Sequence, residues 1–466
     1  MQPLREKLDR RNATAAVIGL GYVGLPLAME IVAAGFNVVG IDLDPNKISA
    51  LKEGKSYISD VPQKVVADAV AGGRFTATAD FSALKNADTV SICVPTPLSK
   101  SRDPDISFIL AATEEIRKHL HQGQLIVLES TTYPGTTNEL ILPELETSGL
   151  HAGKDFFLAF SPERIDPGNP SFNTHNTPKI VGGITEECGD IARLFYSKFI
   201  EQVIPVSSSK CAEMVKLLEN TFRSVNIGMV NELAQMCDLL GVDVYEVIDA
   251  AATKPFGFIP FYPGPGLGGH CIPIDPHYLA WKLKALNFQA RFIGLAAEIN
   301  GMMPSVVTAM IAEGLNQASK AIRGSKVLLL GVAYKKNVSD CRESPALDVM
   351  RMLMDKGALL SYNDPHVPTL KMSGNFMKSV EISPMNIASQ DCVVILTDHS
   401  AYDIAQIVAA SKLVIDTRNA TKDLKGYKDR IMKLGAGNNV PSGLEHEDGH
   451  DNNGAAAPTR TDAIGL

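Results

Sequence analysis

Four things are missing from the sequence, and each absence removes a class of function. There is no CxxC pair, and the seven cysteines (93, 188, 211, 237, 271, 341, 392) are scattered and odd in number. They support neither a disulfide framework nor a zinc site, so no metal is expected and a reducing cytoplasm fits the chain. There is no surplus of basic residues: a formal net charge of −8 gives nucleic acid nothing to follow. No apolar stretch approaches the length that spans a bilayer, so no membrane partner is expected. The charged segment Met1 to Asn12 has no apolar core and no small-residue cleavage site, so no secretory signal is expected in it.

What is present is the material of a compact enzyme. With 466 residues the chain exceeds one ordinary core, and 45% hydrophobic against 21% charged residues is globular composition, so two or three domains are expected. Thr14 to Asp42 reads as strand, glycine turn, helix and second strand, a βαβ unit. Apolar runs at Thr89–Val94, Gln124–Glu129, Phe156–Phe160 and Lys179–Val181, separated by helical patterns, predict a parallel, doubly wound sheet over the first 200 or so residues. From about Cys211 to Ala251 the pattern turns helical, with Met214, Leu217, Leu218, Phe222 and Val225 at three- and four-residue steps. Lys254 to Pro276 is Pro/Gly-rich, a long ordered loop of the kind that carries function. Ser325–Gly331 opens a second alternating set, with strands near Leu359–Tyr362, Cys392–Leu396 and Leu413–Asp416. The expected fold is α/β: two Rossmann-like doubly wound domains (12–208 and 319–434) joined by a central helical domain (209–318). Gly435 to Leu466 has no periodicity and reads as a disordered tail.

Gly19-Leu20-Gly21-Tyr22-Val23-Gly24 follows a strand and opens a helix, and Asp42 closes the next strand. The first glycine permits the turn, the second lets backbone approach a pyrophosphate, and the third lets helix pack on strand. Asp42 would accept from the adenosine ribose hydroxyls and repel a 2′-phosphate, which favours NAD over NADP. The loops Pro95-Thr96-Pro97, Ser130-Thr131-Thr132 and Ser161-Pro162-Glu163-Arg164 follow three strands, and in open α/β sheets such loops converge beyond the strand C-termini.

The chemistry-bearing candidates lie in and around Gly264-Pro265-Gly266-Leu267-Gly268-Gly269-His270-Cys271. A thiolate is a strong nucleophile, and a loop dense in glycine N–H groups can stabilise both it and an oxyanion. His270 is a candidate base, though neighbours in extended chain point apart. Asp275 orients a lysine or a water, or else caps the helix that follows it. Lys216 and Asn220, at i and i+4, share a helix face and can polarise an oxygen; the alternative is a solvated face. Glu163 is a candidate base, with an ion pair to a nearby arginine as the alternative.

Together these segments closely resemble the UDP-glucose/GDP-mannose dehydrogenase family, from about Ala15 to Arg418. The resemblance is carried by Val17–Pro26, Val94–Pro97, Glu129-Ser130-Thr131, Ser161–Arg164, Lys216-Leu217-Leu218-Glu219-Asn220, Gly268–Cys271 with Asp275, and Lys335-Lys336 through Asp340-Cys341-Arg342-Glu343-Ser344. It implies a four-electron oxidation of a sugar C6 alcohol to a carboxylate with two NAD reduced per turnover. An aldehyde cannot yield a second hydride until something adds to its carbonyl, and Cys271 is the residue implied to add. The resemblance further implies that Lys216 and Asn220 stabilise an oxyanion, that Asp275 and Thr131 hold a water, and that Glu163 moves protons. Gly19, Gly21, Tyr22, Val23, Gly24, Asp42, Pro95, Thr96 and Thr131 would bind NAD. Glu163, Arg164, Lys216, Asn220, Phe261, Tyr262, Gly268, Lys335 and Arg342 would bind a UDP-sugar. One position departs from the UDP-glucose pattern, which has a second glutamate where Pro167 stands. The branch most resembled acts on UDP-N-acetylhexosamines, with UDP-N-acetylglucosamine the first expectation, then UDP-N-acetylmannosamine and UDP-glucose. A homodimer or higher homo-oligomer through the central helices is also implied.

Overall fold

Apolar runs of four or five residues build the first sheet. Its strands are β1 (Thr14–Ile18), β2 (Asn37–Ile41), β3 (Phe75–Thr78), β4 (Thr89–Ile92), β5 (Leu125–Leu128), β6 (Phe157–Phe160), β7 (Lys179–Gly183) and β8 (Val203–Val206). The computed structural model describes residues 2–437 except 59, 98–102, 167, 168, 170, 270, 271, 373 and 428. The sheet order is β3-β2-β1-β4-β5-β6-β7-β8, so the chain reverses direction of winding between β1 and β4, where a ligand crevice opens. β4, β5 and β6 are buried at every residue, which is why their sequences do not alternate. The sheet is not wholly parallel as expected: β7 runs antiparallel to β6. A parallel return needs a crossover element, and the described residues between 161 and 178 contain no helix. The chain therefore turns back, then crosses through helix Glu186–Tyr196 to lay β8 parallel to β7. Ahead of β1, helix Gln2–Asp9 buries Leu4 and Leu8 in the same core.

Ser208 accepts from Cys211 N at 3.2 Å and starts a 32-residue connector helix, Ser209–Leu240, which Gly241 ends in a left-handed conformation. Of the apolar positions whose spacing predicts this helix, Leu217 is buried, but Met214, Leu218 and Phe222 are exposed. Its inward face instead carries polar residues: Glu213, Lys216, Asn220 and Ser224. Helix Arg291–Gln317 crosses it closely, because Gly228 lies against Ala296, and Asn231 Nδ2 donates to Asn300 Oδ1 at 2.8 Å. By length and composition this 27-residue helix is long and apolar enough to cross a bilayer, which corrects the expectation that none is. Its apolarity has a local cause: Met303, Val307, Ile311 and Leu315 share one core with Val327, Leu329, Val349 and Leu353 of the third domain.

That domain contains β9 (Lys326–Leu330), β10 (Leu359–Asn363), β11 (Thr369–Met372), β12 (Asn375–Lys378), β13 (Cys392–Ile395), β14 (Val414–Asp416) and β15 (Ile431–Lys433). Its sheet, β10-β9-β13-β14-β15, is parallel throughout, and β11–β12 form a separate hairpin. The α/β architecture, two doubly wound sheets around central helices, is the one expected. Gly435 to Gly437, expected to open a disordered tail, are held in place. Gly435 N and Gly437 N donate to Asp238 at 3.1 and 3.0 Å, and Gly435 O accepts from Val244 N. Residues 438–466 lie outside the described residues.

Candidate active site

At the β1 turn each glycine meets a different constraint. Gly19 has φ +89°, and a Cβ there would lie 2.6 Å from Cys93 O; a Cβ on Gly24 would lie 1.9 Å from Gly19 O. Around Gly21 no heavy atom lies within 4 Å of a Cβ position, so this is where a ligand's phosphates can approach the backbone. Val23 precedes helix Gly24–Ala33 without a side-chain cap; Leu25 N donates to Gly21 O at 3.1 Å and Pro26 has no N–H, so what an anion meets here is the backbone of the glycine turn and the positive end of the helix dipole. Asp42 accepts from Leu20 N (2.8 Å), Asp44 N (2.9 Å) and Lys47 Nζ (2.9 Å). Burial pushes its carboxyl up, but the bonds from Asp44, Lys47 and Leu20 outweigh burial and hold it below the usual range. The residues present therefore fit a dinucleotide. Thr131 lies half-buried in the loop after β5, and Thr96 O, after β4, accepts from Tyr278 OH at 2.8 Å.

Lys216, Asn220, Asp275 and Glu163 come together although they arise from three segments. Lys216 Nζ donates to Glu163 O at 2.6 Å, and Asn220 Nδ2 donates to Asp275 Oδ2. All four are buried. Asp275 is the first residue of helix Asp275–Lys284, and its carboxylate turns to Asn220 rather than capping that helix. Burial pushes the Asp275 carboxyl up to about 6, against the pull of the Lys216 charge and the Asn220 bond. Glu163 Oε1 accepts from Arg164 N and Ile165 N at 2.7 Å each, while Oε2 is buried without a hydrogen-bond partner. The cation beside Glu163 is not an arginine. Lys179 Nζ lies 3.8 Å from Oε2, whereas the Arg164 guanidinium holds Glu219 at 2.7 Å and Pro178 O at 2.6 Å.

Cys271, its neighbour His270, and Pro167 lie outside the described residues. The flanking glycines correct one expectation about the loop. Gly264 N donates to Asn231 Oδ1 (2.9 Å) and Gly269 N to Arg342 O (3.3 Å), so these N–H groups are spent on the protein and not held out to an oxyanion. The glycines serve close packing instead. A Cβ on Gly264 would lie 2.7 Å from the Arg418 guanidinium, on Gly268 2.8 Å from Tyr334, and on Gly266 2.9 Å from Pro345. The loop is thus wedged between central helices and third domain. Phe261 packs edge-on to Phe222, and Tyr262 stacks on Tyr245 with its hydroxyl on Asp249 at 2.6 Å. Across the interdomain cleft, Lys335 pairs with Asp166 at 2.6 Å, and Arg342 pairs with Asp340 at 2.7 Å and lies over the Tyr22 ring at 5.6 Å.

Sequence reasoning missed Glu129, Lys179 and Tyr196, a buried polar cluster under Glu163, and Tyr278, which ties the Asp275 helix to the Thr96 loop. One signal was available for the cluster: Lys179 is a charge at the head of an otherwise apolar strand.

Fold and site together define an oxidoreductase with a dinucleotide-binding domain and an acid, amide and ammonium cluster beside it. Three models of the UDP-glucose/GDP-mannose dehydrogenase family match the chain in order: the NAD binding domain over residues 13–200, the central domain over 210–302 and the UDP binding domain over 328–423. UDP-N-acetyl-D-mannosamine dehydrogenase of Methanococcus maripaludis is 35% identical over 90% of this chain and 97% of its own length. UDP-N-acetyl-D-glucosamine 6-dehydrogenase of Pseudomonas aeruginosa is 33% identical over 84% of this chain and 92% of its own. The structure of a UDP-D-ManNAc dehydrogenase from Pyrococcus horikoshii superposes with a TM-score of 0.83 at 32% identity, covering 92% of this chain and 100% of that one. The chain belongs to the UDP-glucose/GDP-mannose dehydrogenase family, and is an NAD-dependent nucleotide-sugar dehydrogenase.

Proposed function

We propose that the protein oxidises the C6 alcohol of a UDP-N-acetylhexosamine to the uronate in two steps, through a covalent adduct on Cys271, to supply a precursor for polysaccharide synthesis. The observation that carries the reading is the buried convergence of Lys216, Asn220, Asp275 and Glu163 beside the glycine loop, with the Asp275 carboxyl pushed up to about 6. A structural cluster has no need of an acid poised near neutrality; proton transfer does.

Gly19, Gly21, Tyr22, Val23 and Gly24 would hold the cofactor's pyrophosphate, Asp42 its ribose, and Pro95, Thr96 and Thr131 its inner half. NAD, when bound, supplies the hydride acceptor for both oxidations. Glu163, whose Oε2 makes no hydrogen bond, takes the proton of the C6 hydroxyl, and the Lys216 ammonium with the Asn220 amide stabilises charge on that oxygen. The Cys271 thiolate adds to the C6 aldehyde, giving a thiohemiacetal and, after the second oxidation, a thioester. Asp275 and Thr131 hold the water that hydrolyses it. The third domain would grip the uridine diphosphate through Lys335 and Arg342, with Arg164, Phe261, Tyr262 and Gly268 shaping the sugar side. The division of labour gives 12–208 the NAD site with Thr131 and Glu163, 209–318 the remaining reacting groups and 319–434 the UDP.

Both C2 epimers appear among the relatives at similar identity, 35% and 36% for two mannosamine enzymes and 33% for a glucosamine enzyme. The assay that decides is NADH production on UDP-N-acetylglucosamine, UDP-N-acetylmannosamine and UDP-glucose. At least one N-acetylated sugar is expected to exceed UDP-glucose in kcat/KM by about tenfold or more, the discrimination a well-fitted pocket gives. Preference for UDP-glucose would sink the assignment. The assembly is proposed to be a homodimer working in the cytoplasm, supported by the exposed Leu218, Leu239, Leu240, Phe292 and Leu295 on the two long helices and by six free cysteines among the described residues. Sedimentation equilibrium should give a dimer mass, and Leu218→Asp with Phe292→Asp should give the monomer; a wild-type monomer at micromolar concentration contradicts this.

A further inference from the structure

Beneath Glu163 lies a row of charges that the reaction as proposed does not use. Lys179, at the start of β7, is 5% exposed, and its ammonium donates to Glu129 Oε2 at 2.8 Å, with Glu163 Oε2 on its other side at 3.8 Å. Tyr196 closes the row: its hydroxyl donates to Glu129 Oε1 at 2.6 Å and its ring lies 5.0 Å from the ammonium. One buried cation thus faces two buried carboxylates. A purely structural ion pair needs one acid, and a second buried negative charge costs stability that the fold has no reason to bear.

The two acids are held differently. Glu129 has both oxygens spent, on Lys179 and Tyr196. Glu163 has Oε1 fixed by two backbone N–H groups and Oε2 beyond hydrogen-bond reach of Lys179. At that distance the ammonium makes no hydrogen bond to Oε2, whose lone pairs stay open to a proton. Resting on the reading of Glu163 as the proton acceptor, we propose that Lys179, anchored by Glu129 and Tyr196, is a positioning residue that sets the charge around the Glu163 carboxyl and leaves its Oε2 free to accept that proton.

The groups facing Glu163 from the packed elements are Lys179 of β7, Glu129 after β5, Cys93 after β4 and Lys216 of the connector helix. Burial pushes the Cys93 thiol up, so it stays neutral. Lys179 stays protonated: burial opposes its charge, and Glu129 and Glu163 restore it.

The test is the pH profile of kcat/KM on the UDP-sugar the enzyme turns over best, with NAD affinity and melting temperature as controls. Lys179→Met is expected to lower kcat about tenfold or more, to leave KM and NAD affinity within about twofold, and to move the acidic limb up by about one pH unit. Glu129→Gln, which releases Lys179 towards Glu163, is expected to move that limb the opposite way. Lys179→Arg should restore most of the lost turnover. In a Glu163→Gln background the added loss from Lys179→Met should shrink to about twofold or less. If Lys179→Met does not fold, Glu129→Gln and Lys179→Arg carry the same reading. Limbs that stay fixed in the folded variants, or losses that multiply in the double variant, overturn the inference alone. Wild-type turnover in Glu163→Gln overturns the role of Glu163 and the inference with it.

Discussion

Cys271→Ser is expected to lose overall turnover by about three orders of magnitude or more, the cost of removing a covalent nucleophile. A serine hydroxyl is not ionised near neutral pH and no dedicated base is assigned to it, so addition to the C6 aldehyde fails. The first oxidation needs no thiol, so the variant should still form aldehyde, which a hydroxylamine trap with mass spectrometry would detect. Cys93→Ser and Cys392→Ser are the controls: both thiols are buried and pushed up by burial, the condition of an inert packing residue. Each should keep turnover within about threefold of wild type. Equal activity in all three variants would show that the nucleophile is misassigned.

The second large effect joins stability to chemistry. The Asp275 carboxyl, 2% exposed, is pushed up to about 6, chiefly by burial. An acid whose folded value is raised favours folding only while protonated, so ionising it in place costs about 3 kcal/mol at neutral pH. Asp275→Asn removes that cost and keeps an oxygen for the Asn220 amide, but deprives Lys216 of a counter-charge. A net gain of about 1–2 kcal/mol should remain, seen as a melting temperature higher by about 2–6 °C. The sign fixes the window. The gain should be full above about pH 6 and vanish below about pH 4, where the carboxyl is neutral in both folded and unfolded chains. Turnover should fall about a hundredfold, with a burst of NADH as thioester accumulates unhydrolysed. A variant less stable at pH 8, or as active as wild type, contradicts the assignment.

The sequence showed the site's chemistry better than its electrostatics. Three glycines with a strand before, a helix after and Asp42 beyond announce a dinucleotide site, because each constraint is local. Lys216 and Asn220 were readable as a pair for the same reason. The Glu129, Lys179 and Tyr196 cluster was not, since its members lie 50 and 67 residues apart and meet only when β5, β7 and a crossover helix pack. Periodicity gave the connector helix but not the orientation of its faces. Three- and four-residue steps mark a stripe but not what covers it, and here Leu218 and Phe222 face outward while Lys216 and Asn220 face in. The glycines of residues 264–269 were read as exposing N–H groups, yet Gly264 and Gly269 donate theirs to Asn231 and Arg342, and the loop also makes room for Arg418, Tyr334 and Pro345, neighbours no local pattern reveals.

The central claim, a four-electron oxidation through one thiol, is tested most directly by counting. With limiting UDP-N-acetylhexosamine and excess NAD, the protein should produce two NADH for each sugar consumed, with the uronate as the only product. A yield of one NADH per sugar, with the aldehyde or another two-electron product released, would contradict it.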